Sequence, residues 1–337
     1  MKNTLCLLLS LMLLVSGCAY ADEEYQKFTH RFFGTFDTII TLTAYTTDEE
    51  SFQKYAALTE SEMLRYHMIF DQYNPYQGVN NLYAVNQSAA SQPVSAEPEL
   101  IDLLLKVREW QKLYGSEANP AMGSVLRLWH DARTIGGYVP ELSDLSAASE
   151  HMDYSKVIID EVNGTISFED TELSLDLGAV AKGYAAQLVA DLLEKEGLTS
   201  FILNAGGNVV CGPAPLDGRT EWSVAIEDTD GFSTKLIIGS VNTSIVTSGD
   251  YQRYYEVDGN RYHHLIDPDT LYPAAHMRAV TIIHPDSGLA DFLSTTAFLL
   301  PFEESVALIS SIPEAEALWT LNDGSEHCTE GFEKLVR

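Results

Sequence analysis

The stretch 174–212 (SLDLGAVAKGYAAQLVADLLEKEGLTSFILNAGGNVVCG) sets an acid, Asp176, and a base, Lys182, on either side of a glycine corner. Leu173, Leu175 and Leu177 alternate with polar residues, which predicts a strand delivering Asp176 to Gly178. From Val180 the period lengthens: Ala181, Ala185, Leu188 and Leu192 fall on one helical face, and Gly197 closes the helix as a C-terminal cap. A second strand over 200–203 runs into Ala205-Gly206-Gly207-Asn208. The first turn of such a helix has free N–H groups and the positive end of the dipole, and Lys182 lies in it. Its chemistry is anion binding, with a pyrophosphate as the obvious guest. Gly178 and Gly183 have the spacing of a Walker A loop, but Tyr184 stands where that loop needs Lys, and no GxGxxG occurs. On spacing alone, the corner serves helix packing or a phosphate site equally well.

Three further groups carry chemical potential. Asp291 and Thr295 are four apart on a predicted helix, so both oxygens leave one face; with carbonyls and waters they suit a hard ion such as Mg2+. The plainer alternative is an acid near a helix start and a tolerated threonine. His264 ends a strand just before Asp267-Pro268, where it serves either as a general base tuned by Asp267 or as half of a surface His pair. Thr247-Ser248-Gly249-Asp250 reads as a loop fit for phosphate contacts or for a simple turn. No GxSxG elbow and no HExxH is present, so serine-hydrolase and zinc-protease chemistry has no support.

Composition bounds what these groups can serve. The 337 residues suffice for one large or two ordinary domains. Lys plus Arg number 20 against 49 Asp plus Glu, a formal charge of −29. That argues against nucleic acid or an anionic membrane surface as partner. It also requires that any anionic ligand meet locally concentrated positive charge or a metal. At the N-terminus, Lys2 precedes an apolar run, 5–15, too short to cross a bilayer. Val15-Ser16-Gly17-Cys18 then has the form of a lipobox, with Cys18 lipidated; cleavage after Ala19-Tyr20-Ala21 is the competing possibility. The expected layout is a signal peptide over 1–17, a lipidated tether over 18–29 and one domain over 30–337. It places the protein on the extracytoplasmic face of the cell membrane, held by its lipid. With Cys6 removed and Cys18 acylated, Cys211 and Cys328 remain, either paired or free.

The positioning elements alternate irregularly. Strands are expected over 32–45, a helix over 48–68, a turn through Phe70–Pro75, a helix over 98–114, and a hairpin over 157–168 closed by Asn163-Gly164. Further strands are expected over 222–226, 235–238, 254–257, 261–266, 280–283 and 318–321, with helices over 289–300 and 303–312. The fold class that fits is α+β, a single bilobed domain with antiparallel and mixed sheets around a central strand–Gly–helix corner.

In order along the chain, these segments resemble the ApbE family of flavin transferases, FAD:protein FMN transferases. The resemblance covers roughly 31–300. It is carried by Phe33-Gly34-Thr35-Phe36, the Phe70–Pro75 segment leading to Asn86, and Ala121-Met122-Gly123 to Leu128-Trp129. Leu175 to Gly183 with Asn204-Ala205-Gly206-Gly207 form its most specific block, followed by Thr247-Ser248-Gly249, His264 to Pro268, and Ala290-Asp291 to Thr295.

The resemblance implies a reaction that splits the FAD pyrophosphate, passes FMN through a phosphoester to a Thr hydroxyl of a target protein, and releases AMP. It implies Mg2+ held by the Ala179 carbonyl, Asp291 and Thr295. FAD would be contacted by Asp176, Lys182, Phe33, Tyr73 and Glu117-Ala118-Asn119, and by His264 and Ile266, with His264 the candidate base. The implied partners are FAD and Thr-bearing subunits of membrane redox complexes, such as sodium-pumping quinone reductases and Rnf-type complexes. Three positions depart from the family pattern: Ala118-Asn119 replaces Phe-Asp, Leu271-Tyr272 replaces a Gly after the Asp-Pro turn, and Phe33 replaces Met. Rival functions are an FAD pyrophosphatase giving FMN and AMP, and a flavin-binding lipoprotein without turnover.

Overall fold

A computed structural model describes residues 24–337; the signal segment and Cys18 lie outside the described residues. Its centre is a sheet of eight strands whose side chains sort into two buried layers. Phe201, Leu203 and Ala205 of strand Phe201–Ala205 pack on one side, Ile202 on the other. Val210 and Val209 of Asn208–Cys211 divide in the same way, as do Val246 and Ile245 of Thr243–Gly249. A strand covered on both faces must be apolar on both, so these segments read as continuous runs rather than clean alternations.

The strands follow one another in chain order across the sheet: Gln26–Thr35, Thr38–Thr46, Phe201–Ala205, Asn208–Cys211, Thr243–Gly249, Met277–His284, Glu316–Leu321 and Glu326–Cys328. Every neighbouring pair is antiparallel. Of the antiparallel or mixed sheets expected from sequence, the structure has the antiparallel kind. The α+β class stands, but the one parallel pairing among the described residues is an isolated bridge, Met122 to Ser174. The expected tether over 18–29 is also too long: Gln26 to Thr29 pair with Thr46 to Thr43 as part of the edge strand.

Helices Glu49–Phe70, Pro98–Tyr114, Ala181–Lys195 and Ser287–Leu299 cover one face, and the hairpin Trp222–Glu227/Thr234–Ser240 covers the other. Asp48 caps the first helix by accepting from the Ser51 amide at 2.7 Å. Ala181–Lys195 ends in a Schellman motif: Leu198 N–H donates to Leu193 at 2.9 Å and Gly197 N–H to Glu194 at 3.0 Å, with Gly197 at φ +94°. Ser287–Leu299 is buried along its whole length, which is why its sequence is apolar on every side. No helix among the described residues is long and apolar enough to cross a membrane.

A smaller cluster, Met122, Val125, Trp129, Leu145, Ile266 and Leu271, joins helix Gly123–Ile135 to the Asp267-Pro268 turn. Leu271 adopts φ +64°, the left-handed conformation that Gly takes without cost. Its buried side chain and its carbonyl, which accepts from Trp129 Nε1 at 2.9 Å, offset the strain. The departure Leu271 for Gly thus exchanges backbone freedom for packing.

Candidate active site

The Leu173–Leu177 segment buries its three leucines as the alternation requires, but it joins no sheet. Other partners satisfy its backbone. Asn86 accepts from the Leu175 amide at 2.8 Å and donates to its carbonyl at 2.9 Å, and the Asp176 amide donates to the Pro120 carbonyl at 2.8 Å. Gly123 passes so close that a Cβ there would lie 2.5 Å from the Ser174 carbonyl. The segment therefore ends in a fixed position, with Asp176 accepting from the Gly178 amide at 2.7 Å and from Gln72 Nε2.

Helix Ala181–Lys195 starts directly after this turn, and Val180 offers it no side-chain cap. The cap comes from elsewhere: Asp291 accepts from the Gly183 amide at 2.8 Å. This contact needs the two helices to touch. A Cβ on Gly183 would fall 2.5 Å from the Asp291 Cβ and closer still to the Ser287 carbonyl. Lys182 Nζ donates to Asn208 Oδ1 at 3.2 Å. Thr295 Oγ1 is 3.4 Å from Ser248 Oγ, which in turn bonds Ser294 Oγ at 2.9 Å. Thr247 and Ser248 thus belong to a sheet strand, not to the loop expected from sequence.

These groups border a cleft of about 810 Å³. Asp176, Ala179, Lys182, His264, Ile266, Asp291, Thr295, Tyr73 and Glu117-Ala118-Asn119 all line it. Phe33 does not. A β-bulge at Phe32/Thr35, with Gly34 at φ +90°, leaves the Phe33 side chain 72% exposed; Asp37, Thr38 and Ile39 reach the cleft instead.

Asp291 and Thr295 are 4% and 7% exposed. Burial pushes the Asp291 carboxyl above its ordinary value, against the attraction of Lys182 and the Gly183 amide. A buried carboxylate, a hydroxyl and a carbonyl-bearing turn form an all-oxygen donor set, the kind a hard dication takes. Among the described residues no three His, Cys, Asp or Glu gather as a softer metal would require.

The two histidines separate in role. His263 is buried with both nitrogens spent, Nδ1 accepting from the Leu265 amide at 3.2 Å and Nε2 facing the Ala274 carbonyl at 2.9 Å. His264 lines the cleft, and its Nδ1 is buried without a partner. Burial, then Arg253, His263, Arg133 and Lys182, push its pKa down to about 3, so the ring is neutral. Asp267 is turned to other partners: its Oδ1 accepts from the amides of Asp269 and Thr270, and its Oδ2 lies 4.0 Å from His276 Nε2.

Tyr73 stacks on His130 with ring centroids 4.5 Å apart. Asn119, at the departure Ala118-Asn119, uses its side chain to brace the loop, donating to Met152 and accepting from the Ala121 amide, both at 2.9 Å. Glu117 keeps one carboxylate oxygen buried and unpartnered, and burial raises its pKa.

Sequence reasoning did not identify Gln72, His130, Arg133 or Arg253 as site residues. Arg133 and Arg253 sit outside any recurring spacing; the overall charge deficit alone signalled that such cations were needed. Cys211 is buried, Cys328 is exposed, and both are free.

Residues 36–319 match the ApbE family. An FAD:protein FMN transferase of Treponema pallidum is 34% identical over 274 residues, 76% of this chain and 75% of that protein. A Vibrio cholerae protein of the same name is 27% identical across 100% of this chain and 99% of its own length. Among solved structures, the ApbE protein of Thermotoga maritima superposes with a TM-score of 0.82 at 27% identity, covering 93% of this chain and 100% of that one. With the match spanning the cleft from Asp37 to Thr295, this chain belongs to the ApbE family.

Proposed function

We propose that this chain is a Mg2+-dependent FAD:protein FMN transferase, held by lipid at the extracytoplasmic membrane face and acting on a Thr of a membrane redox protein. Relatives that carry the transferase name support the reaction class. The observation that supports the metal and diphosphate site is the cleft shared by Lys182, Asp291, Thr295 and His264, with Lys182 and the Asp291-capped Gly183 amide at one helix N-terminus, inside a protein of charge −29. A dinucleotide diphosphate finds there the positive end of a helix and the Lys182 ammonium.

The Ala179 carbonyl, Asp291 and Thr295 would hold Mg2+, which when bound neutralises charge developing on the diphosphate. Lys182 binds the diphosphate and orients it along the helix axis. The acceptor's Thr oxygen attacks the flavin-side phosphorus. A P–O bond to Thr forms as the bridging P–O bond breaks, AMP leaves with the bond's electrons, and the hydroxyl proton passes to neutral His264. Burial is the largest cause of the lowered His264 pKa; of the lesser causes, the charges of Arg253, Arg133 and Lys182 are those a diphosphate offsets, which eases proton uptake. Transfer of this kind depends on positioning and charge compensation more than on covalent chemistry.

Purified protein is incubated with FAD, Mg2+ and a Thr-bearing target protein. Covalent flavin fluorescence on the target with stoichiometric AMP is the expected result. Free FMN with AMP and no labelled target would instead make it a pyrophosphatase, and neither product would leave only binding. Asp291→Ala is expected to lower kcat by at least about 100-fold, as loss of a key electrostatic group does; full activity in that variant removes the metal assignment.

A further inference from the structure

Four arginines of this acidic chain pair with a carboxylate among the described residues. Arg65 pairs with Glu62 and Glu99, Arg219 with Asp217, Arg278 with Asp250, and Arg337 with Glu221. Arg133 and Arg253, both half-buried in the cleft wall, are not among the ion pairs of the described residues. Arg133 has a guanidinium nitrogen 3.3 Å from His130 Nδ1, and Arg253 donates to the Phe36 carbonyl at 3.2 Å. These contacts use few of the five N–H donors on each group.

The two cations also act on each other. Burial and then the charge of Arg253 depress the pKa of Arg133, and both push on His264. Such an arrangement is unfavourable until an anion completes it. The same wall carries the buried, unpartnered Nδ1 of His264. The pKa of the neighbouring imidazole, His130, is lowered by burial and then by Arg133. The cleft's carboxylates, Asp37, Glu117, Asp176, Glu227 and Asp291, form no ion pair with either arginine among the described residues, and of these Asp176 and Asp37 attract Arg133.

We propose that Arg133 and Arg253 form a guanidinium pair that clamps the diphosphate of a dinucleotide, a second anion subsite beside the Lys182–Asp291–Thr295 corner. It rests on the cleft being the dinucleotide site described under the proposed function. Planar guanidinium forks bind phosphate oxygens two at a time, and here they do so in a partly dry cleft. The pair binds the linkage and stabilises charge that grows on it as the bridging bond breaks.

The test is binding of FAD, AMP and riboflavin to wild type, Arg133→Gln, Arg253→Gln and the matching Arg→Lys variants, each checked for an unaltered melting temperature. Each Gln variant is expected to lose about 10- to 100-fold in affinity for FAD, the scale of a lost charged hydrogen bond. AMP should follow in the same direction, while riboflavin, which has no phosphate, should not change. The Lys variants keep the charge but lose the fork and should fall between. Unchanged FAD affinity in both Gln variants, or an equal loss for riboflavin, overturns the proposal; the Lys variants answer this even if a Gln variant fails to fold. A wild type that binds AMP through these arginines yet labels no acceptor would end the transferase assignment and leave the subsite standing. Labelling with arginine-independent affinity would do the reverse.

Discussion

His264 shows how burial decides what a residue can do. Its ordinary pKa of 6.5 falls to about 3 in the folded chain, so folding excludes a proton that the unfolded chain accepts. Between those values the unfolded state binds more protons, and stability therefore rises with pH across that window. The contribution is fully present above pH 6.5 and drains away as pH falls towards 3. Between pH 6.5 and 5 the loss is about 2 kcal/mol, taking 1.36 kcal/mol per unit. Urea unfolding of ligand-free wild type and His264→Gln at those two pH values isolates the effect: the acid-side loss should be smaller in the variant by about that amount. Equal losses would mean that His264 is not held neutral. FAD should shrink the difference in part, because its phosphates oppose Arg253, Arg133 and Lys182 while the larger effect, burial, persists.

At the scale of elements, the site depends on two helices touching at Gly183. Any side chain there meets the Asp291 Cβ and the Ser287 carbonyl, neither of which is a flexible tip. Gly183→Ala should destabilise the fold by roughly 1–3 kcal/mol, the cost of overpacking, and draw Asp291 away from the helix start. Thermal melting and FAD turnover should fall together; a stable, fully active variant would show that the crossing does not position the site.

The helix start and the Asp291–Thr295 pair were legible in the sequence, because spacing along a helix fixes which face a residue joins. The Leu173–Leu177 strand was half legible. Alternation told which side chains are buried, but not that Asn86, rather than a neighbouring strand, completes the backbone bonds. Phe33 lies outside the cleft lining for a related reason, since one extra residue at a bulge changes where a side chain points. Arg133 and Arg253 left no local pattern, because they come together only through the packing of Gly123–Ile135 and the loop before Tyr254–Val257 against one cleft.

For the whole molecule, the charge of −29 separates the cleft from the rest of the surface. A body so acidic is repelled by an anionic bilayer, so nothing in its charge would hold it at a membrane. If the protein works there, lipid at Cys18 must supply all the affinity, and a single acyl chain gives only marginal binding. The edge strand begins at Gln26, so the intervening residues span at most about 28 Å even when fully extended. The domain is then confined near the surface where a membrane-bound acceptor resides, which raises their effective concentration. Cys18→Ser should move the protein into the aqueous fraction and sharply reduce flavin labelling of the membrane acceptor in cells. The same variant should label a solubilised acceptor in vitro at the wild-type rate, because Cys18 precedes every residue of the cleft. If it still fractionates with membranes, something other than this cysteine anchors the chain; if it is released and labels the cellular acceptor normally, confinement contributes nothing to the reaction.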